Sequence, residues 1–176
     1  MTDLLMLEPD ADEGAISFAR GFVKSDAFMA LFREGMGLVE RTAAYLDGDG
    51  RAESAALPRE VALSYATESM RLTTRLMQIA SWLLVQRAVA EGEMTAEQAQ
   101  AENDKVRIPE QLATAPAVEV ERLPQGLRDL MGHSFRMQAR IRHLEGQMSG
   151  KQAPSERANP VQNQLDSLKA KLGMAF

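Results

Sequence analysis

The stretch from Leu57 to Gly92 constrains the fold most, because it predicts one uninterrupted helix about 50 Å long. Pro58 stands where a first helical residue is favoured, and Glu60 and Glu68 lie toward the positive end of the helix dipole. No other proline or glycine occurs before Gly92. A helix of this length needs partners along its surface, so the rest of the chain should be organised around it.

Apolar residues mark two separate faces of this predicted helix. The first has heptad-like spacing and should lie in the core: Tyr65, Leu72, Leu76, Ile79 and Leu83. The second repeats every seven residues, about 150° around the helix: Leu63, Met70, Met77 and Leu84. Each such side chain left in water forgoes about 1.5–3 kcal/mol of burial, so the second face should be covered by more of the chain or by another copy. We predict that it is the interface of a homodimer.

Two further long helices are predicted on either side of the central one. Ser25 should cap a helix from Asp26 to Leu46, which Gly48 ends. Its predicted core face is Phe28, Phe32, Val39, Ala43 and Leu46. Gly35 and Gly37 either allow close helix approach or weaken the middle. The residues before it, from Gly14 to Lys24, lack a clean period and predict an irregular or short helical lead-in that packs on the bundle.

The third long helix has the strictest spacing in the chain. Its apolar series alternates steps of four and three: Leu123, Leu127, Leu130, Ser134, Met137, Ile141, Leu144 and Met148. The aliphatic stems of Arg128, Arg136, Arg140 and Arg142 should support its outer face. The predicted fold is therefore all-α, an antiparallel three-helix bundle.

Two connections complete this outline. The turn at 46–51 resembles part of a calcium loop, but its register puts Tyr45 and Ala56 where the first and last carboxylates belong, so a helix C-cap and tight turn is the better interpretation. After the central helix, Thr95 and Gln98 form a capping box that predicts a short helix to about Asp104, too polar to be core. An extended crossover through residues 105–124 should follow.

The two ends of the chain differ from the central domain, predicted at 14–149. Residues 1–13 hold five acids and no base and should be disordered. Residues 150–176 should form a flexible tail whose short amphipathic helix carries Leu165, Leu168 and Leu172. Such a helix is marginal alone in water, so it should either order on a partner or fold back on the bundle. We expect it to bind a partner.

Composition limits the possible functions. The absence of cysteine excludes disulfides, thiolate metal sites and a cysteine nucleophile. No secretory signal or run of 18 uncharged apolar residues is present, which predicts a soluble cytoplasmic protein without membrane contact. The net charge is −10 over residues 1–121 and +5 over 122–176, so any nucleic-acid role would depend on the last third.

The motif inventory predicts no enzyme. The sequence has no nucleophile elbow, no phosphate-binding loop and no His-Glu-x-x-His motif. His133 and His143 are about 15 Å apart along a helix and cannot share a metal ion. We expect no catalytic residues, no cofactor and no metal.

Two segments carry a family resemblance. LFREGMGLVERTAAYLDGDGR at 31–51 and ESMRLTTRLMQIASWLLVQRAVAEGEMT at 68–95 resemble the bacterial RcdA family, the regulators of CtrA degradation. The likeness runs from about Phe28 to Leu144. It implies a dimeric three-helix-bundle adaptor without enzymatic activity, which helps the ClpXP protease degrade the response regulator CtrA and other cargo. It also implies action beside CpdR and the cyclic-di-GMP effector PopA, at the cell pole.

The adaptor hypothesis needs an exposed binding surface. The candidates on the central helix are Arg71, Arg75, Trp82 and Arg87, because a partly exposed tryptophan beside arginines is typical of a binding hot spot. Packing of Trp82 into a groove of its own bundle is the competing interpretation. Two other functions stay open: a DNA-binding regulator that uses the basic third helix, and a purely structural dimeric scaffold.

Overall fold

The computed structural model describes residues 11–106 and 120–148, and within these residues all regular secondary structure is helical. The α-helices are α1 (Ala11–Val23), α2 (Asp26–Asp47), α3 (Asp49–Ala55), α4 (Arg59–Glu91), α5 (Ala96–Val106) and α6 (Gln125–Met148). A 3₁₀ turn at Val120–Arg122 precedes α6. The predicted all-α class is confirmed. None of the described helices is long and apolar enough to cross a membrane.

The central helix α4 forms as its sequence predicts. Pro58, with φ of −56°, stands at its N-cap. Gly92 ends it in the left-handed region, with φ of 78°, where its N–H donates to the carbonyls of Ala88 and Val89. The predicted core face is confirmed, since all five of its residues are buried: Tyr65, Leu72, Leu76, Ile79 and Leu83.

The core face of α2 is rotated from the predicted one. Its buried residues are Phe28, Leu31, Gly35, Leu38 and Thr42. The predicted Phe32, Val39 and Leu46 are only half-buried, and Ala43 is exposed. The reason is Gly35, whose missing side chain lets α2 approach α4: a Cβ there would overlap Leu83 Cδ1 and lie 3.4 Å from Met137 Sδ. The close approach centres the packed face on Gly35.

The segment after α2 is also different from the prediction. Gly48 ends α2, as predicted, with φ of −106° and ψ of −109°. Instead of a tight turn, a second helix, α3, starts at once. Gly50 of α3 is buried against two tyrosines, so an added Cβ would lie 2.5 Å from Tyr65 Oη and 2.7 Å from Tyr45 Cε1. The two glycines thus redirect the chain and let α3 press against two tyrosines.

The short helices α1 and α5 pack on the long ones, and each differs from its prediction in part. The lead-in forms a regular helix, α1, which begins at Ala11 and contacts α2, α4 and α6. The capping box at the start of α5 is confirmed: Thr95 Oγ1 accepts from Gln98 N at 3.2 Å, and Gln98 Oε1 accepts from Thr95 N at 3.0 Å. Contrary to the prediction, α5 contributes to the core, since it packs on α4 and its Ala99 is buried.

The direction of α6 relative to α2 follows from which residues meet. Gly35, in the middle of α2, packs against Met137 in the second half of α6. Tyr45, near the end of α2, packs against Gly126 at the start of α6. The two helices therefore run antiparallel. The predicted apolar series of α6 lies inward, with Leu123, Leu127, Ser134, Met137 and Ile141 buried.

The pair α4 and α6 runs parallel, which corrects the predicted antiparallel arrangement of all three long helices. Gly35, in the middle of α2, meets Leu83 near the end of α4. Tyr65, near the start of α4, lies beside Gly50 and Tyr45 at the C-terminal end of α2, so α2 and α4 are antiparallel. Both α4 and α6 thus oppose α2, and Arg75 bonds across to Ser134 midway along each. The physical reason is the length of the connection at 92–124. Its helix α5 packs on α4, and the connection is long enough for α6 to begin beside the start of α4.

Candidate interaction surface on helix 4

The second apolar face of α4 lies outside the core. Leu63, Met70, Met77 and Leu84 have exposed fractions of 72%, 65%, 67% and 54%. They are the four most exposed of the large apolar side chains in the described residues. We call this set the α4 stripe. Its exposure rules out cover by the described elements of the same chain.

The residues between the members of the α4 stripe are small and uncharged. They are Ala66, Thr67, Thr73, Thr74, Ala80 and Ser81. Two of the hydroxyls bond to their own helix: Thr67 Oγ1 donates to Leu63 O at 3.0 Å and Thr73 Oγ1 to Ser69 O at 2.9 Å. A helix packed here would meet large apolar ridges with small residues between them, and it would bury no charge.

The α4 stripe is also symmetric along the helix. The order Leu, Met, Met, Leu at seven-residue spacing reads the same in both directions, and its centre lies between Thr73 and Thr74. A twofold-related contact needs a surface that is complementary to itself. With a second copy running antiparallel, this residue order would place leucine opposite leucine and methionine opposite methionine.

Two of the four predicted partner-binding residues of α4 are buried, so their predicted exposure is wrong. Trp82 is 4% exposed and belongs to the core, and Arg75 is 7% exposed. The cause is the cover that α1, α5 and α6 add to α4. Arg71 is half-buried and bonds to Glu68 at 2.6 Å. Arg87 is exposed and pairs with Glu91 at 2.8 Å.

A third series with seven-residue spacing explains these burials. Val61, Glu68, Arg75 and Trp82 are all buried on one side of α4. The spacing was visible in the sequence, but two of its four members are charged, so it did not look like a core face. Arg75 Nη1 donates to Ser134 Oγ of α6 at 2.8 Å. Burial lowers the pKa of Arg75, since desolvation disfavours the charged form.

A second polar link joins α2 to α6. The carboxylate of Glu34 accepts from Arg140 Nη1 at 2.7 Å and lies 2.9 Å from His133 Nε2. The hydrogen bond with His133 is the largest cause that lowers the pKa of Glu34 below its ordinary value of 4.5, and Arg140 adds to it. Sequence analysis missed this cluster, because its members are 99 and 106 residues apart.

The remaining predicted sites can be placed only in part. Leu165, Leu168 and Leu172 lie outside the described residues. No group of three His, Cys, Asp or Glu residues suited to a metal ion occurs in 11–106 or 120–148. The described residues offer exposed surface, above all the α4 stripe, as the candidate site for binding another protein.

Comparison with known proteins gives two similarities. Residues 19–172 match the family described as "Protein of unknown function (DUF1465)". The chain is also similar to the crystal structure of RcdA from Caulobacter crescentus CB15, with 56% sequence identity and a TM-score of 0.59. That similarity covers 70% of this chain and 92% of the RcdA chain. No match was found among curated proteins.

Proposed function

Because the chain belongs to the RcdA family, to which its match with the DUF1465 family also points, we propose that it regulates the degradation of CtrA. In this proposal it is a non-enzymatic adaptor that promotes degradation of CtrA and other cargo by the ClpXP protease. It acts with CpdR and PopA and is recruited to the cell pole. The observation that carries the proposal is the 56% identity to RcdA across 92% of that chain.

The α4 stripe supports the further proposal that the adaptor is a homodimer. Two antiparallel α4 helices related by a twofold axis beside Thr73 and Thr74 would set Met70 of one protomer against Met77 of the other. Leu63 would then meet Leu84 in the same way. Each of these side chains is more than half exposed in the single chain. Burying them is worth about 1–2 kcal/mol each, which is the driving force for association.

Other surfaces remain for the protease and the cargo. Arg87 is exposed at the end of α4, and its guanidinium lies 5.2 Å from the ring centroid of Phe32. An arginine on an aromatic ring beside a free surface is suited to contacts with a partner protein. On sequence grounds we assign Leu165, Leu168 and Leu172 to a second contact, because they form an apolar series at helical spacing beyond a linker.

The DNA-binding alternative has weaker support. Of the α6 arginines that would contact phosphates, Arg140 is paired with Glu34 and Arg128 is bonded to Gln125. The chain is also acidic overall, with a net charge of −5. DNA affinity that falls steeply between about 50 and 200 mM salt would favour this alternative over the adaptor.

The lifetime of CtrA in cells tests the proposed function. Deletion of the gene should lengthen the lifetime of CtrA after synthesis is stopped, and the wild-type gene should restore it. A variant with Met29→Asp, an exposed position on α2 outside the α4 stripe, should restore it equally and serves as the control. Unchanged lifetimes of CtrA and of every other protein in the deletion strain would contradict the proposal.

A further inference from the structure

The two central members of the α4 stripe are methionines, whereas its two outer members are leucines. Met70 and Met77 are 65% and 67% exposed, which makes them the most exposed methionines of the described residues. Met29 follows at 39%, and Met131 and Met137 are buried. Leucine would fill these positions with a similar apolar volume. Methionine adds a property that leucine lacks, because its thioether sulfur can be oxidised.

The twofold contact would bring these sulfurs together. In the antiparallel arrangement of two α4 helices, Met70 of one protomer meets Met77 of the other on each side of the axis. Thioethers would therefore occupy the centre of the interface, where water is excluded most completely. Because the contact is symmetric, a chemical change in one chain sequence alters the interface twice.

Oxidation would place a polar oxygen at this centre. A sulfoxide oxygen is hydrated in the single chain and would lose that water in the dimer, which is costly without a replacement donor. Two neighbouring hydroxyls are already engaged, since Thr67 donates to Leu63 O at 3.0 Å and Thr73 to Ser69 O at 2.9 Å. A hydroxyl has one hydrogen to donate. While these bonds are kept, neither hydroxyl can compensate for the lost water.

We propose that Met70 and Met77 form a reversible oxidation site through which hydroperoxides dissociate the homodimer. The sulfur gives an electron pair to one peroxide oxygen, so an S–O bond forms and the O–O bond breaks. With hydrogen peroxide the second oxygen leaves as water. Methionine sulfoxide reductases restore the thioether and release the oxygen as water, while a dithiol becomes a disulfide. This inference rests on the homodimer proposed above and concerns the regulation of that interface.

Association and oxidation would compete for the same side chains. The sulfurs are open to solvent in the single chain and covered in the dimer, so the dissociated chain is the form that reacts. Once oxidised, that chain associates poorly. The oxidation rates of Met70 and Met77 should therefore fall as the protein concentration rises. The rate at Met29, which lies outside the α4 stripe, should not change.

Peroxide treatment of the purified full chain tests this site. Hydrogen peroxide is added at a protein concentration where a substantial fraction of the chains is monomeric, and peptide mass mapping locates each sulfoxide. Sedimentation equilibrium then measures association before oxidation, after it, and after reduction by methionine sulfoxide reductases A and B with dithiothreitol. Oxidation of Met70 and Met77 should weaken association by at least about 30-fold, and reduction should restore it.

Matched variants assign the effect to these two residues, and each is compared with its own untreated sample. Peroxide should leave the association of the double variant Met70→Leu and Met77→Leu unchanged, although its other methionines still react. Met29→Leu should respond to peroxide like wild type. The double variant Met70→Gln and Met77→Gln carries acceptor oxygens without peroxide and has similar helix propensity, so it should be folded and monomeric where wild type dimerises.

Several outcomes would overturn the inference. One is a dimer of unchanged affinity after Met70 and Met77 are fully oxidised, and another is no reaction at these residues when Met29 is oxidised. Equal loss of association in the double leucine variant would also overturn it. If oxidation unfolds the chain, as circular dichroism would show, dimerisation of the folded glutamine variant like wild type overturns it instead. A monomeric untreated wild type would refute the homodimer itself, whereas a dimer insensitive to peroxide refutes this inference alone.

Discussion

A single charge placed in the α4 stripe should prevent association of two chains. Full burial of a methionine side chain contributes about 1.5–3 kcal/mol, and Met77 is 67% exposed in the single chain. Its burial then contributes about 1–2 kcal/mol, and a twofold dimer buries Met77 of both protomers. Loss of about 2–4 kcal/mol weakens association by about 30- to 700-fold. In Met77→Asp, desolvation of two carboxylates adds to this loss.

Sedimentation equilibrium over a range of protein concentrations measures the effect. Wild type should show a dimer, and Met77→Asp should remain a monomer at concentrations where wild type is dimeric. Met77→Leu keeps an apolar side chain of similar volume and should associate like wild type. Met29→Asp places the same charge at an exposed position outside the α4 stripe and should also dimerise normally. A monomeric wild type, or a dimeric Met77→Asp of unchanged affinity, would refute the assignment of this face.

Three further predictions concern the bundle and the tail. Gly35→Ala should lower the free energy of unfolding, because an overpacking cost of about 1–3 kcal/mol exceeds the helix-propensity gain of about 1 kcal/mol. Gly37→Ala, the control, should keep that gain. Equal urea midpoints for the two variants would contradict the close approach of α2 to α4 at Gly35. Glu34→Gln should destabilise the protein near neutral pH. Since the folded pKa of Glu34 is lowered, chiefly by His133, the difference from wild type should disappear as pH falls below 4.5; a difference that persists in acid would exclude this ion cluster as its source. Deletion of residues 155–176 should leave dimerisation and the melting temperature unchanged but impair delivery of at least one cargo, and a destabilised protein that delivers all cargo would contradict it.

The elements that sequence analysis predicted well are those whose packing depends on apolar side chains alone. The core face of α4 and the apolar series of α6 followed from spacing, because large apolar residues at helical intervals have one favourable location. The α4 stripe followed from the same reasoning: its residues could not all belong to the first face. Its exposure in the single chain agrees with that analysis, and its cover by a second copy stays a prediction.

The wrong predictions have a common cause. Close packing also depends on glycines and charged residues, which a pattern of hydrophobic residues does not mark as core. Gly35 has no side chain to mark it as core, yet its approach to Leu83 sets the orientation of α2. Arg75 looked like a surface residue because it is charged, although Ser134 and Phe135, which hold it, are 59 or more residues away. Such distant contacts could not be predicted from local spacing. The parallel direction of α6 was missed for a similar reason, since it depends on the path of a long connection.

The most direct test of the proposed function is a reconstituted degradation assay. Purified CtrA is incubated with ClpXP, CpdR, PopA and ATP, and its loss is followed with and without this protein. The adaptor proposal predicts that wild type accelerates the degradation of CtrA, while a control substrate that ClpXP degrades without an adaptor is lost at the same rate in both reactions. An unchanged rate of CtrA degradation on addition of folded wild-type protein would contradict it.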